Sequence, residues 1–377
     1  MAEEEIYRRF IDWLKQTWWD LPEADERLYL IKARYTAEEA SLLTGMPFSG
    51  KSLEELAEIK KMAPAELARR LDALARKGVV FRSAMGGKVR YRLNDSFFVF
   101  LRSAFWPGRT DEASKAMAPL ANQYYYHGFF EQYAGVQARG LRALPVEKTI
   151  EDPRLILPYE DVAQVLDSME YYTVSTCPCR HRKNLDPDSP DCKHPTENCL
   201  HFDQLGHYIV DQGLGREITR KDAHEILLQA ADSGLVHGLS NQQRGADTIC
   251  SCCKCCCMWF EGFHILKHAK SMDASNYRVR TRSETCKGCG LCAKRCPMEA
   301  LRLEASPEAQ NKTGKIAVLN AELCIGCGVC AHKCPTNSLV LERREVIIDP
   351  PADTRDYMRR YSADKESARM TQKGQNK

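Results

Sequence analysis

The sequence predicts an α+β chain of several domains. Three observations lead there: capping-box signatures open helical segments in the N-terminal part, a glycine-broken pair of β-rich segments follows, and cysteine triplets recur at a fixed interval near the C-terminus. At 377 residues the chain has length for two or three domains, each with its own core. The expected order is an amphipathic helical start (1–35), a helix-and-hairpin domain (36–95), a helical connector (96–158), a mixed cysteine-rich middle (159–275), a repeat module (276–345) and a polar tail (346–377).

Composition narrows the class. A hydrophobic fraction of 44% with 28% charged residues is that of a soluble globular protein, and a formal charge of +3 implies no strongly polarised partner for the whole molecule. No run of about 18 apolar residues occurs, and Met1-Ala2-Glu3-Glu4-Glu5 lacks the basic and apolar regions of a secretory signal, so a cytoplasmic chain without a transmembrane segment is expected. All 18 cysteines fall between Cys177 and Cys334. That clustering points to metal rather than to a disulfide scaffold, because a reducing compartment keeps thiols available as the thiolates that bind iron.

The elements follow in order. Ile6, Phe10, Ile11, Trp13, Leu14 and Trp18 give an apolar face at helical spacing over 6–20, suited to packing or to a membrane surface. Thr36-Ala37-Glu38-Glu39 and Ser52-Leu53-Glu54-Glu55 each start a helix, and a third runs from Pro64 to Lys77, where Gly78 ends it. Val79-Val80-Phe81-Arg82 and Val89-Arg90-Tyr91-Arg92-Leu93 read as strands joined at Gly86-Gly87. Three helices and a hairpin make a winged-helix-like domain. Residues 94–158 carry no motif with chemistry. Tyr159–Glu170 reads as helix and Tyr171–Ser175 as strand, and Thr219-Arg220-Lys221-Asp222 caps a helix ending before Gly234. The tail after Pro351 is expected to be disordered.

Cys286, Cys289, Cys292, Cys296 and Pro297 recur as Cys324, Cys327, Cys330, Cys334 and Pro335, each 38 positions on (286 to 324, and so on). Gly288, Gly290, Ala293, Leu301 and Leu303 recur as Gly326, Gly328, Ala331, Leu339 and Leu341. Three thiolates in a C-x2-C-x2-C loop can wrap one corner of a cubane, and glycines let backbone N–H groups approach its sulfurs. The fourth cysteine is too far along to close the same loop and ligates the other cluster. One 4Fe-4S cluster is thus assigned Cys286, Cys289, Cys292 and Cys334, and the second Cys324, Cys327, Cys330 and Cys296. The module resembles bacterial two-cluster ferredoxins over about 60 residues. A zinc ribbon would pair two CxxC arms, whereas these arms are triple.

Ten cysteines stand upstream: Cys177, Cys179, Cys192 and Cys199, then Cys250, Cys252, Cys253, Cys255, Cys256 and Cys257. They suit one or two further iron–sulfur clusters, of the 4Fe-4S type, with the pairing open; zinc, a thiol pair or a 2Fe-2S centre are the alternatives. Arg180, Arg182 and Lys183 beside Cys177 and Cys179 favour thiolates and a negatively charged cluster. Any of His181, His194, His201, His237, His264 and His268 could replace a thiolate, as histidine does in Rieske centres.

At Cys177–Arg180, Cys192–Cys199 and Ile249–Cys257 the chain resembles a group of proteins of anaerobes described as 4Fe-4S dicluster or ferredoxin-domain proteins. These share a helical or winged-helix N-terminal part, a CxCR start, a C-x6-C pair, an ICxCCxCCC run and a closing two-cluster ferredoxin. The resemblance covers roughly residues 25–345 and implies electron transfer within a larger redox system.

The leading expectation is an electron-transfer protein or subunit, passing single electrons between a low-potential donor and a flavin or iron–sulfur oxidoreductase. A homodimer is compatible with it. From Lys60 to Arg92 ten basic residues face Glu66 and Asp72, a local balance of +8, so a redox-responsive DNA-binding regulator is the second expectation. An oxidoreductase with a catalytic upstream cluster is the third. No dinucleotide fingerprint, P-loop or nucleophile elbow occurs, so no flavin, nicotinamide or nucleotide site is expected.

Overall fold

The structure is a computed structural model and describes residues 3–17, 19–84, 87–134, 136–189, 191–268 and 271–375. It divides into two compact units, Met1–Val136 with Thr173–Cys192 and His201–Glu217, and Gln137–Tyr172 with Lys193–Leu200 and Ile218–Lys377.

In the first unit, helix Glu3–Leu14 buries Tyr7, Phe10, Ile11 and Leu14. Its apolar face is thus taken up by packing, and the helix ends before Trp18, which lies outside the described residues. Trp13 donates its indole N–H to the Met46 carbonyl at 2.9 Å and stacks on Phe48.

Helices Ala37–Leu43 and Leu53–Lys60 begin where the capping boxes place them. The Thr36 and Ser52 hydroxyls accept from the backbone N–H groups of Glu39 and Glu55, whose carboxylates accept from the backbone N–H groups of Thr36 and Ser52. Each box satisfies two otherwise orphaned donors and is worth about 1 kcal/mol. Helix Pro64–Arg76 buries Leu67, Leu71, Leu74 and Ala75. Gly78 ends it at φ +81°, where a Cβ would strike the Ser103 side chain at 2.8 Å.

Strands Val80–Ser83 and Arg90–Leu93 pair antiparallel, Val80 opposite Leu93. Of the expected turn glycines, Gly87 adopts φ +74° and Gly86 lies outside the described residues. The charge of this region is less free than the count from 60 to 92 implied. Arg70 pairs with Glu38 and Glu66, Lys77 with Glu39, and Arg82 with Asp72. Glu38 and Glu39 come from outside that window. Behind the hairpin, helix Asp203–Asp211 stacks Tyr208 on Phe81 at 4.3 Å, with its hydroxyl donating to the Val80 carbonyl at 3.0 Å.

In the second unit, Leu141–Ala143, Val236–Ser240 and Thr248–Cys252 form successive antiparallel neighbours. The first of these strands lies in the segment expected to be a helical connector, and three residues are too short to show a period-2 pattern. Helix Arg220–Asp232 carries the expected capping box between Thr219 and Asp222, with Gly234 at φ +85° beyond its end.

The tail corrects the sequence reading. Instead of disorder, Thr354–Gln375 is helical, with Tyr357 and Tyr361 buried one turn apart. Its Asp364 carboxylate accepts from the backbone N–H groups of Gln137 and Ala138 at 3.0 and 2.7 Å. Two aromatic anchors and one carboxylate are enough to order a segment whose composition is otherwise that of a solvated chain. Among the described residues no helix is long and apolar enough to cross a membrane.

Candidate iron–sulfur centres

The 38-residue repeat in sequence becomes a repeat in structure. Strand Tyr277–Thr281 recurs as Lys315–Leu319 and strand Leu301–Ala305 as Leu339–Arg343, again offset by 38 (277 to 315, 301 to 339). The strands pair crosswise: 277–281 with 339–343, and 301–305 with 315–319, both antiparallel. Each sheet therefore takes one strand from each repeat. Tyr277, Val279, Leu301, Ala317, Leu339 and Leu341 fill the core between them.

Two cavities open beside this core, each with about 340 Å³ of empty space. One is lined by Cys286, Cys289, Cys292 and Cys334, the other by Cys296, Cys324, Cys327 and Cys330. In each, three thiols come from one loop and the fourth from the other repeat.

The loops can take this shape because of their glycines. Gly288, Gly290, Gly326 and Gly328 have φ between +63° and +74°. A Cβ on Gly288 would lie 2.6 Å from the Lys315 carbonyl, and one on Gly326 would collide with the Tyr277 carbonyl. Lys315 and Tyr277 are themselves a repeat pair, so the same close approach is made twice.

The two cavities differ in access. Cys289 is exposed, whereas Cys327 and Cys330 are buried. Burial pushes the Cys292 thiol up to about 11 and the Cys327 and Cys330 thiols well above their ordinary value. Cys334 moves the other way: burial raises it, but backbone N–H groups of Thr336, Leu339 and Ser338 outweigh that by favouring the thiolate. Such donor sets, four sulfurs in an apolar wall with backbone N–H groups aimed at them, fit a cluster that compensates the cost of deprotonating buried thiols.

Residues 285–338 match the 4Fe-4S dicluster domain. No curated protein and no solved structure matches the chain. The dicluster domain thus covers the whole of both cysteine loops, and the cysteines before it lie outside the match.

Upstream, Cys250 and Cys252 sit on strand Thr248–Cys252, and a turn carries Cys253, Cys255, Cys256 and Cys257 to helix Met258–His264. The run divides. The Cys252 thiol contacts those of Cys250 and Cys257, whereas Cys256 contacts Cys253 and Cys255, the last at 3.7 Å. The Sγ atoms of Cys253, Cys255 and Cys256 all lie within 4.8 Å of one another. Cys177 immediately precedes helix Pro178–Leu185 and contacts Cys179, which together with burial pushes its thiol up, while Cys199 is buried on strand Glu197–Phe202.

Three of the candidate histidines use Nε2 elsewhere. His181 meets the Arg109 carbonyl at 2.7 Å, His201 the Ser175 hydroxyl at 2.9 Å, and His264 the Pro297 carbonyl at 2.7 Å. Burial holds His201 well below its ordinary value and depresses His237 to about 4.

Two attachments were not legible in the sequence. The His264–Pro297 bond and a Lys254–Glu299 ion pair fasten the cysteine run to the loop that follows Cys296. Helix Arg220–Asp232 is fastened to both repeats: Arg295 donates to the Ala231 and Asp232 carbonyls at 2.8 and 3.2 Å, and the Asp232 carboxylate pairs with His332 and Lys333. Arg295 and Lys333 are repeat equivalents placed one residue before each fourth cysteine, which is the only signal that could have drawn attention to them.

Proposed function

We propose that the chain is an iron–sulfur electron-transfer protein or subunit that relays single electrons between a low-potential donor and a flavin or iron–sulfur oxidoreductase in anaerobic metabolism. The observation that carries this reading is the pair of four-thiol cavities, three thiols from one loop and one from the other repeat. Cys286, Cys289, Cys292 and Cys334 would hold one 4Fe-4S cluster, and Cys296, Cys324, Cys327 and Cys330 the second. The upstream cysteines would hold further metal.

A bound 4Fe-4S cluster supplies a one-electron couple. The protein's own residues do the rest. Val279, Leu301, Ile325 and Leu341 wall the second cavity from water, which sharpens the electrostatic effect of each nearby N–H dipole. Exposed Cys289 makes the first cavity the side open to a partner, and Lys287 in its wall favours an acidic one. The second cavity includes Pro297, the residue to which His264 ties the cysteine run. Electrons would pass from the partner through the first site to the second and on to the run.

Anaerobic purification, iron and sulfide analysis and paramagnetic spectroscopy of the reduced protein test the reading. About eight irons and eight sulfides per chain belong to the two cavities, and their reduced spectrum should show two spin-coupled clusters. A chain carrying iron that neither takes up nor delivers single electrons with a low-potential viologen would defeat it.

A winged-helix regulator is the second reading, supported by the helices Ala37–Leu43, Leu53–Lys60 and Pro64–Arg76 followed by the hairpin, with Lys51 bridging to Tyr91 beside it.

A further inference from the structure

The two halves of the dicluster module are alike in sequence and unlike in cover. Four exposed residues of the first loop each have a buried equivalent 38 positions on: Lys287 answers to Ile325, Cys289 to Cys327, Leu291 to Val329 and Lys294 to His332. We propose that the first loop, with Lys312 and Lys315 of the turn beside it, is the docking surface for an acidic face of a partner redox protein. The proposal rests on the electron-transfer reading and names the surface and the charge of the partner at its open end.

The difference in cover has a backbone cause. At the second loop Val146 donates its N–H to the Cys327 carbonyl at 3.1 Å, and the Ser275 hydroxyl donates to the Gly326 carbonyl at 2.8 Å. A Cβ on Gly328 would lie 3.2 Å from the Val146 nitrogen. At the first loop the neighbour is the turn between strands Leu301–Ala305 and Lys315–Leu319. Asn311 donates its side-chain N–H to the Cys286 and Lys315 carbonyls at 2.7 and 2.8 Å. Those bonds bring the turn that carries Lys312 and Lys315 against the cysteine loop and leave Cys289 exposed.

Charge selects the partner. Lys287, Lys294, Lys312 and Lys315 are exposed, and among the described residues none forms an ion pair. Glu284 and Glu308 on the same two segments still leave an excess of two positive charges, four lysines less two glutamates, and Glu284 lies close to the Arg280 guanidinium. Leu291, between Lys287 and Lys294 in sequence, is 38% exposed and supplies the apolar contact that a cationic rim surrounds in a protein interface. A nucleic acid would use the lysines and leave Leu291 and the exposed ligand Cys289 without a role. An acidic protein face uses all three, and its encounter is steered by a field that salt screens.

The full chain with its clusters oxidised is mixed at low salt with an excess of a reduced flavodoxin of acidic surface. The flavin hydroquinone anion gives up one electron and becomes the neutral semiquinone, and one oxidised cluster takes that electron. The rate should fall about tenfold or more between roughly 20 mM and 500 mM salt. In the double variant Lys294→Glu with Lys312→Glu it should fall about tenfold at low salt and lose most of its salt dependence. The methyl viologen radical cation, of opposite charge, is the reference donor, and its rate should not fall with salt. A flavodoxin rate indifferent to salt and to charge reversal, while the viologen reduces the clusters, overturns the docking surface alone. No reduction by the viologen ends the electron-transfer reading and this surface with it. Retention of a single-stranded oligonucleotide that the double variant loses, with the flavodoxin rate unaltered, assigns the lysines to nucleic acid and overturns the proposal. Should the double variant lose its spin-coupled signal, the salt dependence of the wild-type rate decides.

Discussion

His332 Nε2 lies 2.6 Å from the Asp232 carboxylate, joining the loop of the second repeat to the last residue of helix Arg220–Asp232. The histidine side chain is wholly buried while the aspartate is half exposed. The first repeat reaches the same helix end through Arg295, so one helix terminus is gripped from both halves of the module. Positive groups at the C-terminal end of a helix also oppose the negative end of its dipole.

Removing that grip should loosen the helix without emptying the cavities. Arg295→Ala leaves the Ala231 and Asp232 carbonyls without their guanidinium donor and should cost about 1 to 2 kcal/mol. The denaturant midpoint should fall, and amide exchange in the last turn of the helix should quicken. Unchanged exchange there would show that the contact is passive.

The crossing of ligands makes an unequal pair of variants. Cys334→Ser should disturb the cluster shared with Cys286, Cys289 and Cys292, and Cys296→Ser the one shared with Cys324, Cys327 and Cys330. Spectra of Cys334→Ser paired with Cys324→Ser should then resemble a double loss, whereas Cys334→Ser with Cys289→Ser should resemble a single one. The reverse pattern would rule out crossing.

Gly326→Ala should prevent the second loop from closing. Its φ is +68°, and a Cβ would collide with the Tyr277 carbonyl and the Ser275 side chain. About four irons per chain should be lost and the spin coupling with them. Gly314→Ala is the control: φ is +63° there but nothing lies within 4 Å, so only backbone strain of about 1 kcal/mol is added.

Much of this was legible because chemistry fixes spacing. Three thiols at C-x2-C-x2-C, a glycine between each pair and a proline after the fourth cysteine leave little freedom, and the strand offsets follow the ligand offsets. Thr36, Ser52 and Thr219 were readable for a similar reason, since a cap is a local contact. What could not be read were contacts made by single residues far apart in sequence, such as Lys254 with Glu299 or Asp232 with His332. The helical tail was missed because composition weighs every residue alike, whereas Tyr357 and Tyr361 carry its packing.

Stability should depend on pH through His237. Burial lowers its folded value to about 4 from 6.5. The unfolded chain then binds a proton below 6.5 that the folded chain refuses, so stability is full above 6.5 and falls as pH drops toward 4, by roughly 3 kcal/mol in all. His237→Gln should flatten that slope between pH 6.5 and 4.5 in denaturant titrations. An unaltered slope would assign the effect to another group.

DNA retention should be weak and lost at modest salt. Arg70, Lys77 and Arg82 are already paired with carboxylates, which removes three charges from the surface that would meet phosphates. Sequence-specific retardation of DNA by the holo-protein, altered by cluster oxidation, would promote the regulator reading over the electron-transfer one.

Because Cys296 stands with the second loop and Cys334 with the first, a cut anywhere between the repeats leaves neither fragment with a complete set of four thiols around one cavity. If the two halves arose by duplication, neither has since been free to be lost, shortened or exchanged alone. The pair can be inherited only whole, and a half-size descendant would have to rebuild its fourth ligand before it could carry anything.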